Sequence, residues 1–243
     1  MSKVSLKGKV AIITGASKGI GKSISFFLAK EKMRLALVSR SKDLLDEIKN
    51  DLPVDNSDVL VIPVDLNDVS SPIIIIKEVI KKFGQIDVLI NNAGIAISKK
   101  IEDTTIYDWE RLININARAP FFLSKEALKY LKKSDLKHII NIGSVVATKG
   151  YNNQAAYAAS KHALLGFSKV LAREVYKDNI RVSVISPGGV DTDLVTEMRP
   201  DIKKSELISP DEIAELIIFL LKQRGNAMID HINIRRVTKE PWA

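Results

Sequence analysis

A tyrosine and a lysine stand four positions apart in the segment from Tyr157 to Lys161. In a helix this spacing places both side chains on one face. An isolated phenol titrates at about 10, which is too high for efficient acid–base catalysis at neutral pH, and a fixed ammonium beside it lowers that pKa. The pair therefore predicts a catalytic acid, Tyr157, tuned by Lys161. Taken alone, the same spacing is more often only a surface pair on a helix.

Two more polar residues can complete a site around this pair. Ser144 follows an apolar, β-branched run, so we expect its hydroxyl at the carboxyl end of a strand, where it would hold a carbonyl oxygen while Tyr157 donates the proton. Asn116 lies in a helical stretch. The residues around Ser144 lack the nucleophile-elbow pattern of a serine hydrolase. Three histidines without any cysteine form no evident metal-ligand cluster, so no metal is expected.

The segment Thr14 to Gly21 is rich in glycine and directly follows the first apolar run. Glycines there allow a tight turn and a close approach to a pyrophosphate, and the N-terminus of the next helix supplies donors and partial positive charge. The spacing is G-x-x-x-G-x-G, not the commoner G-x-G-x-x-G, and glycines also serve plain tight turns. Its position between a strand and a helix favours a dinucleotide site.

The second apolar run ends in Val38-Ser39-Arg40, without the carboxylate that normally holds the ribose hydroxyls of NAD. Ser39 and Arg40, together with Lys18 of the glycine segment, would instead bind a 2′-phosphate. The alternative is that the two cations are ordinary surface residues. The missing carboxylate favours NADP(H) as the cofactor.

Apolar, β-branched runs alternate with longer helical patterns along the whole chain. Seven runs are predicted as strands: Val10–Ile13, Leu35–Val38, Val59–Ile62, Ile86–Ile90, His138–Ile142, Ile180–Ile185 and Ile232–Ile234. Helices are predicted at Gly19–Lys32, Lys42–Asn50 and from Ser70 onward, with further long helices later in the chain. Continuous apolar strands separated by helices predict an α/β fold with a doubly wound parallel sheet of about seven strands and helices on both faces, of the Rossmann type. One domain spanning 1–243 is expected.

Bulk properties exclude several other classes. With 243 residues and 46% apolar residues, the chain can bury a full core. Its net charge of +8 raises a nucleic-acid hypothesis, but the lysines are scattered along helices, so no nucleic-acid partner is expected. The N-terminus lacks a signal-peptide core, and the apolar run Ile73–Ile76 is interrupted by Lys77. We therefore expect a cytoplasmic protein with no membrane partner.

These motifs, in this order, resemble the classical short-chain dehydrogenase/reductase family over essentially the whole chain. The matching elements are Thr14–Gly21, Asp65, Asn91–Gly94, Asn116, Ser144, Tyr157, Lys161 and Pro187–Thr192. The resemblance implies an NADP-dependent dehydrogenase or reductase that moves hydride between nicotinamide C4 and a carbonyl or secondary alcohol, with Tyr157 as general acid/base. Lys161 would also bind the nicotinamide ribose.

The resemblance further implies individual roles. Asp65 would bind the adenine, Asn91 would support the adenosine side, and Asn116 would hold a water in a proton relay. Val190 and Thr192 would fix the nicotinamide carboxamide. The full predicted cofactor set is Gly15, Ser17, Lys18, Gly19, Ile20, Gly21, Ser39, Arg40, Asp65, Leu66, Asn91, Ala93, Gly94, Tyr157, Lys161, Pro187, Gly188, Val190 and Thr192.

The substrate class stays open at this point. The stretch Ile139–Val175 is similar to 3-oxoacyl-carrier-protein reductases, whereas the ending Ile229–Arg236 lacks their glycine-rich strand and is more like reductases of small 3-hydroxy acids, pterins or other carbonyls. We expect a small ketone, aldehyde or 3-oxo acid. The alternatives are a 3-oxoacyl-carrier-protein reductase and a non-catalytic NADP-binding sensor. In the loop 193–207, Arg199, Lys203 or Lys204 would meet a substrate carboxylate or phosphate, unless all three are merely solvated.

Two long helices, near Ala117–Lys132 and Ala155–Tyr176, carry more apolar residues than one sheet face can cover. In the resembling family such helices pair across a two-fold axis. We therefore expect a homo-oligomer, with a tetramer favoured over a dimer and a second contact formed by the last strand and the tail through Trp242. The alternative is a monomer whose helices have broad apolar faces.

Overall fold

The computed structural model describes residues 4–223 and 225–241. Within them, seven strands form one all-parallel sheet in the order β3-β2-β1-β4-β5-β6-β7. The strands are β1 Val10–Thr14, β2 Arg34–Ser39, β3 Val59–Pro63, β4 Val88–Asn91, β5 His138–Ile142, β6 Arg181–Pro187 and β7 His231–Ile234. The α-helices are α1 Gly19–Lys30, α2 Lys42–Asp51, α3 Ser71–Phe83, α4 Ile106–Ile113, α5 Ala119–Leu131, α6 Ala155–Val175, α7 Asp193–Met198 and α8 Pro210–Lys222.

The sheet is covered on both faces because its strands are apolar on both sides. In β1, Ala11 and Ile13 belong to a core cluster with residues of α1, α2 and α8. The alternate residues, Val10 and Ile12, belong to a second cluster with residues of α3, α5 and α6. Successive side chains of a strand point to opposite faces, so both core layers are built from the same short runs. The predicted doubly wound α/β fold is confirmed.

Element boundaries differ from the sequence prediction where polar groups intervene. Strand β4 starts at Val88 and not at Ile86, because the carboxylate of Asp87 accepts the N–H of Val10 at 2.7 Å. Helix α1 ends at Lys30, since Lys32 has the left-handed φ of 60°. The stretch that holds Asn116 is a π-helical turn, Asn114–Arg118, between α4 and α5. Among the described residues, no helix is long and apolar enough to cross a bilayer.

Candidate active site

The carboxyl ends of β1, β4, β5 and β6 meet at one edge of the sheet and surround a cavity of about 320 Å³. Parallel strands bring the loops that follow them to the same edge, and the order of this sheet reverses between β1 and β4. The predicted cofactor residues that line the cavity are Gly15, Ser17, Lys18, Gly19, Ile20, Ser39, Arg40, Asp65, Leu66, Ala93, Gly94, Tyr157, Lys161, Pro187, Gly188, Val190 and Thr192. The sequence prediction and the cavity therefore coincide at these positions.

The glycine turn after β1 forms a tight cradle. Gly15 has a φ of 67°, and a Cβ added there would lie 2.9 Å from the Cα of Ala93. Gly21 faces inward, where a Cβ would overlap the turn's own backbone and lie 2.6 Å from Nδ2 of Asn92. The side chain of the N-cap residue of α1, Lys18, makes no hydrogen bond to the first helical turn. A backbone pressed this close, ending in an uncapped helix N-terminus, fits the pyrophosphate of a dinucleotide.

The two neighbouring asparagines lie on different sides of the cavity wall. Asn91 lies behind the cavity wall, buried, with its Nδ2 donating to Oδ1 of Asn141 at 2.8 Å. Asn92 lines the cavity, and its Nδ2 donates to the carbonyl oxygen of Thr14 at 2.9 Å. The expectation that Asn91 contacts the cofactor is therefore corrected: as the last residue of buried β4, it points into the core, whereas Asn92 begins the loop.

Ser144, Tyr157 and Lys161 lie on one wall of the cavity. Tyr157 and Lys161 share a face of α6 and are only 8% and 4% exposed. The amine of Lys161 donates to the carbonyl oxygen of Ile142, the last residue of β5, at 2.9 Å. Ser144 has an extended backbone and caps a short 3₁₀ turn, accepting from the N–H of Val146 at 3.3 Å. The hydroxyl, phenol and amine therefore converge from two elements anchored on β5.

Burial dominates the electrostatics of this wall. It raises the pKa of the Tyr157 phenol above its usual range, and a hydrogen bond with the hydroxyl of Ser144 lowers that pKa only in part. Burial also lowers the pKa of the Lys161 amine to about 8. The predicted lowering of the Tyr157 pKa by Lys161 is therefore wrong for this structure. Removing both groups from water penalises the phenolate and weakens the charge of the lysine that was to stabilise it.

Asn116 does not line the cavity. Its Oδ1 accepts the N–H of Ile95 at 2.9 Å, and its Nδ2 donates to the carbonyl of Ile95 at 2.8 Å and to Oγ of Ser160 at 2.9 Å. A Cβ added at Gly94 would lie 3.3 Å from Oδ1 of Asn116 and 3.4 Å from Nζ of Lys161. The amide of Asn116 thus fastens the loop after β4 to α6, and its service to a relay water stays a prediction.

Lys18 spans the mouth of the cavity. Its Nζ lies 2.9 Å from Oδ2 of Asp193, the first residue of α7, and both side chains are exposed. A Cβ added at Gly19 would lie 2.7 Å from Cγ2 of Thr192, so the loop before α7 packs against the glycine turn. Arg40 is exposed on the same cavity, just after β2. Of the two predicted cations, Lys18 is therefore ion-paired and Arg40 is the freer one.

A second cavity of about 350 Å³ adjoins the first at Ser144, Tyr157 and Gly188, which line both. Residues of the loop 193–207 and of the segment after β7 form its outer walls. The predicted substrate cations behave differently from one another: Arg199 lines this cavity, but Lys203 and Lys204 do not. Lys204 instead forms an ion pair with Asp191 at 3.2 Å.

Known proteins match this chain over nearly its whole length. The model of the short chain dehydrogenase family matches residues 9–203. An uncharacterized oxidoreductase of Staphylococcus aureus strain MRSA252 is 32% identical over 236 residues, which are 97% of this chain and 98% of that protein.

Two solved structures carry different cofactors. An alcohol dehydrogenase from the archaeon Thermococcus sibiricus, complexed with 5-hydroxy-NADP, has a TM-score of 0.88 at 30% identity and covers 97% of this chain and 99% of its own. A 3-ketoacyl-(acyl-carrier-protein) reductase from Brucella melitensis, complexed with NADH, has a TM-score of 0.85 at 26% identity, with coverage of 95% and 98%.

Proposed function

The chain belongs to the short-chain dehydrogenase family and is an oxidoreductase, and from this premise we propose that it is a single-domain enzyme that interconverts a carbonyl and a secondary alcohol with NADP(H). One observation carries the proposal. Ser144 and Tyr157 line both the cavity that contains the glycine cradle and the second cavity beside it. A proton donor that faces both a dinucleotide and a second ligand can complete a hydride transfer between them.

The nicotinamide, when bound, supplies or accepts the hydride at the substrate carbon. The protein manages the oxygen. Tyr157, whose pKa is raised by burial, holds its proton at neutral pH and donates it to the carbonyl oxygen as negative charge develops there. The hydroxyl of Ser144 orients that oxygen and lowers the pKa of Tyr157 in part, and the buried amine of Lys161, on the same face of α6, binds the nicotinamide ribose. In the reverse direction Tyr157 accepts the proton of the alcohol.

Turnover is tested by NADPH oxidation with purified protein against aldehydes, ketones, 3-oxo acids, pterins and 3-oxoacyl thioesters of an acyl carrier protein. We expect reduction of at least one small carbonyl, and Tyr157→Phe is expected to lower kcat by at least about 10²-fold. NADPH binding should survive, because the ring remains. A higher kcat/KM for the carrier-protein thioester than for the small carbonyls would establish the alternative, a 3-oxoacyl-carrier-protein reductase, which the Brucella melitensis neighbour favours. Tight NADPH binding without turnover of any compound would leave only a sensor.

We propose that NADP(H) is preferred over NAD(H). The support is the end of β2, where Ser39, Arg40 and Ser41 line the cavity without a carboxylate among them. A charge-assisted hydrogen bond contributes about 1.5–3 kcal/mol, so Arg40→Asp should weaken NADPH binding by about 10- to 100-fold or more. The Kd of NADH, which lacks the phosphate, should change far less. Equal affinities of the wild type for the two cofactors would contradict the preference.

We propose a homotetramer built first on α5 and α6. Phe121 and Phe122 of α5 are 47% and 41% exposed, and Val170 of α6 is 55% exposed. The ring of Phe121 meets those of Phe122 and Phe167 edge to face, with centroids 5.2 and 5.6 Å apart. Exposed aromatic clusters of this kind are typical of protein interfaces.

The second contact of the tetramer would use β7, which is an edge strand of the sheet. Trp242, predicted to contribute there, lies outside the described residues. Light scattering at micromolar concentration tests the assembly: a dimer would retain only the α5–α6 contact, and a monomer would refute both. The cytoplasmic location stays a prediction.

A further inference from the structure

Basic side chains outnumber acidic ones around the second cavity. Apolar residues of the loop 193–207, among them Leu194, Val195 and Met198, form part of its wall. The ionisable residues that line it outside the catalytic group are Lys149, Tyr151, Arg199, Arg235, Arg236, Lys239 and Glu240. Five cations thus share a small cavity with a single carboxylate.

Two of these cations are already neutralised. Arg199 forms a bidentate pair with Asp201, with Nε and Nη2 at 2.7 and 2.6 Å from the two carboxylate oxygens. Arg236, whose side chain is 13% exposed, lies with Nη1 3.3 Å from Oε2 of Glu206. These pairs fix the loop 193–207 and attach it to the segment after β7. They leave little of their charge for a ligand.

The other three cations have no such neutralisation. Among the described residues, no carboxylate pairs with Lys149, Arg235 or Lys239. Arg235 is bound only to neutral oxygens: its Nη1 donates to the carbonyls of Arg236, Val237 and Lys239 at 3.1, 3.2 and 2.8 Å. Among the described residues that line the cavity, Glu240 is the only carboxylate beside these three cations. The wall therefore keeps an excess of positive charge.

The segment after β7 is held firmly against the catalytic loops. The N–H of Gly188 donates to the carbonyl of Ile234 at 2.7 Å, and a Cβ at Gly189 would lie 3.6 Å from Cδ of Arg236. The N–H of Lys239 closes a turn onto the carbonyl of Arg236 at 3.0 Å. Gly188 also lines the cofactor cavity. The cations of this segment are therefore held at the side of the substrate cavity by the same loop that follows β6.

We propose that the substrate is a small carbonyl compound with an anionic group, a carboxylate or a phosphate monoester, which the cluster Lys149, Arg235 and Lys239 binds while Tyr157 addresses the carbonyl. This inference rests on the proposed function. The cavity of about 350 Å³ lies near the lower end of ligand pockets, which favours a small acid over a large conjugate. Surplus cations in the wall offset the free energy needed to remove an anion from water. They offer no such compensation to a neutral compound, and they repel a cationic one.

The test compares matched pairs of substrates in NADPH oxidation. One arm uses 3-oxobutanoate and 3-oxobutanamide, and the other uses hydroxyacetone phosphate and hydroxyacetone. Because Lys149, Arg235 and Lys239 are exposed, solvent screens part of their charge. We expect the anion of at least one pair to be preferred by about tenfold in kcat/KM, which corresponds to about 1.4 kcal/mol. The arm that shows the preference identifies carboxylate or phosphate as the recognised group. No preference in either arm would overturn the inference.

Variants locate the recognition. In Lys149→Gln/Lys239→Gln, the two side chains lose their charge without losing a hydrogen bond to any described residue, and we expect the preference ratio to fall at least about fivefold, mainly through KM. Arg235→Gln is the second cavity variant. It removes the third charge together with the hydrogen bonds that Arg235 donates to the carbonyls of the tail. The matched control is Lys203→Gln, an exposed loop cation outside the cavity, which should keep the ratio of the wild type. A ratio unchanged in both cavity variants would refute the assignment.

Binding to the NADPH complex, followed by NADPH fluorescence, separates this inference from the proposed function. Discrimination of the anion without turnover would refute the proposed function and keep the anion site. Turnover without discrimination would keep the function and refute the site. Absence of both would refute both.

Discussion

Lys161 is the buried charge whose removal can be followed most directly. Its side chain is 4% exposed, its amine contacts the carbonyl oxygen of Ile142 at 2.9 Å, and burial lowers its pKa from 10.5 to about 8. Lys161→Met keeps the length of the side chain and removes the titrating group. We expect this variant to lose the dependence of stability on pH that the lysine imposes.

The sign follows from proton counting. Between pH 8 and 10.5 the unfolded lysine holds its proton while the folded one has released it, so the unfolded state binds more protons and the free energy of unfolding rises with pH. The full difference of pKa corresponds to about 3 kcal/mol, and about 2 kcal/mol of it is recovered between pH 7.5 and 9.5. This window lies below the ordinary pKa of tyrosine, so Tyr157 contributes little to it.

The assay is urea unfolding of the protein without cofactor, at constant protein concentration, in steps from pH 7.5 to 9.5. The wild type should gain about 2 kcal/mol more over this range than Lys161→Met. Lys81→Met, at an exposed position of α3, serves as the control and should keep the slope of the wild type. Equal slopes for the wild type and Lys161→Met, or a wild type that weakens as pH rises over this window, would refute the argument from burial.

Three further changes probe the glycine turn, the start of β1 and the catalytic wall. Gly21→Ala should lower the free energy of unfolding by about 1–3 kcal/mol and weaken NADP(H) binding, because a Cβ there overlaps the glycine turn. The control Gly84→Ala, at a φ of 72° and outside the cavity, should lower the free energy of unfolding by about 1 kcal/mol and leave binding unchanged; urea unfolding and fluorescence titration measure the two effects. Asp87→Ala should cost about 2–4 kcal/mol in urea unfolding, because it leaves the buried N–H of β1 without its acceptor, and a cost below 1 kcal/mol would contradict this. Ser144→Ala should lower kcat and move the basic limb of the pH profile of carbonyl reduction to higher pH, because the hydrogen bond that lowers the pKa of Tyr157 is lost; an unmoved limb would show that Ser144 has no such role.

Local pattern was sufficient for the architecture and for most of the site. Runs such as Val10–Ile13 and His138–Ile142 are apolar on both faces, which only a parallel sheet covered on both sides can satisfy. A parallel sheet places the residues that directly follow its strands together at one edge. The cavity lining from Gly15 to Thr192 follows from this topology, and the spacing of Tyr157 and Lys161 already placed them on one face of α6.

Three features were decided only by the tertiary structure. Neighbouring asparagines look alike in sequence, but Asn91 ends a buried strand and bonds to Asn141, while Asn92 begins the loop and lines the cavity. The pKa values of Tyr157 and Lys161 depend on how completely the surrounding elements exclude water, and spacing along one helix carries no information about that.

The third feature is the charge of the substrate cavity. The sequence predicted the substrate-binding cations in the loop 193–207, but Arg199 and Lys204 of that loop pair with nearby aspartates. Two of the three unneutralised cations, Arg235 and Lys239, follow the last strand and lie about eighty residues from Tyr157 along the chain, so the basic residues of the tail were the only signal for them. The interaction between two charges depends on their separation in space and not on their separation along the chain. Only the packing of β7 beside β6 brings that tail to the catalytic edge of the sheet.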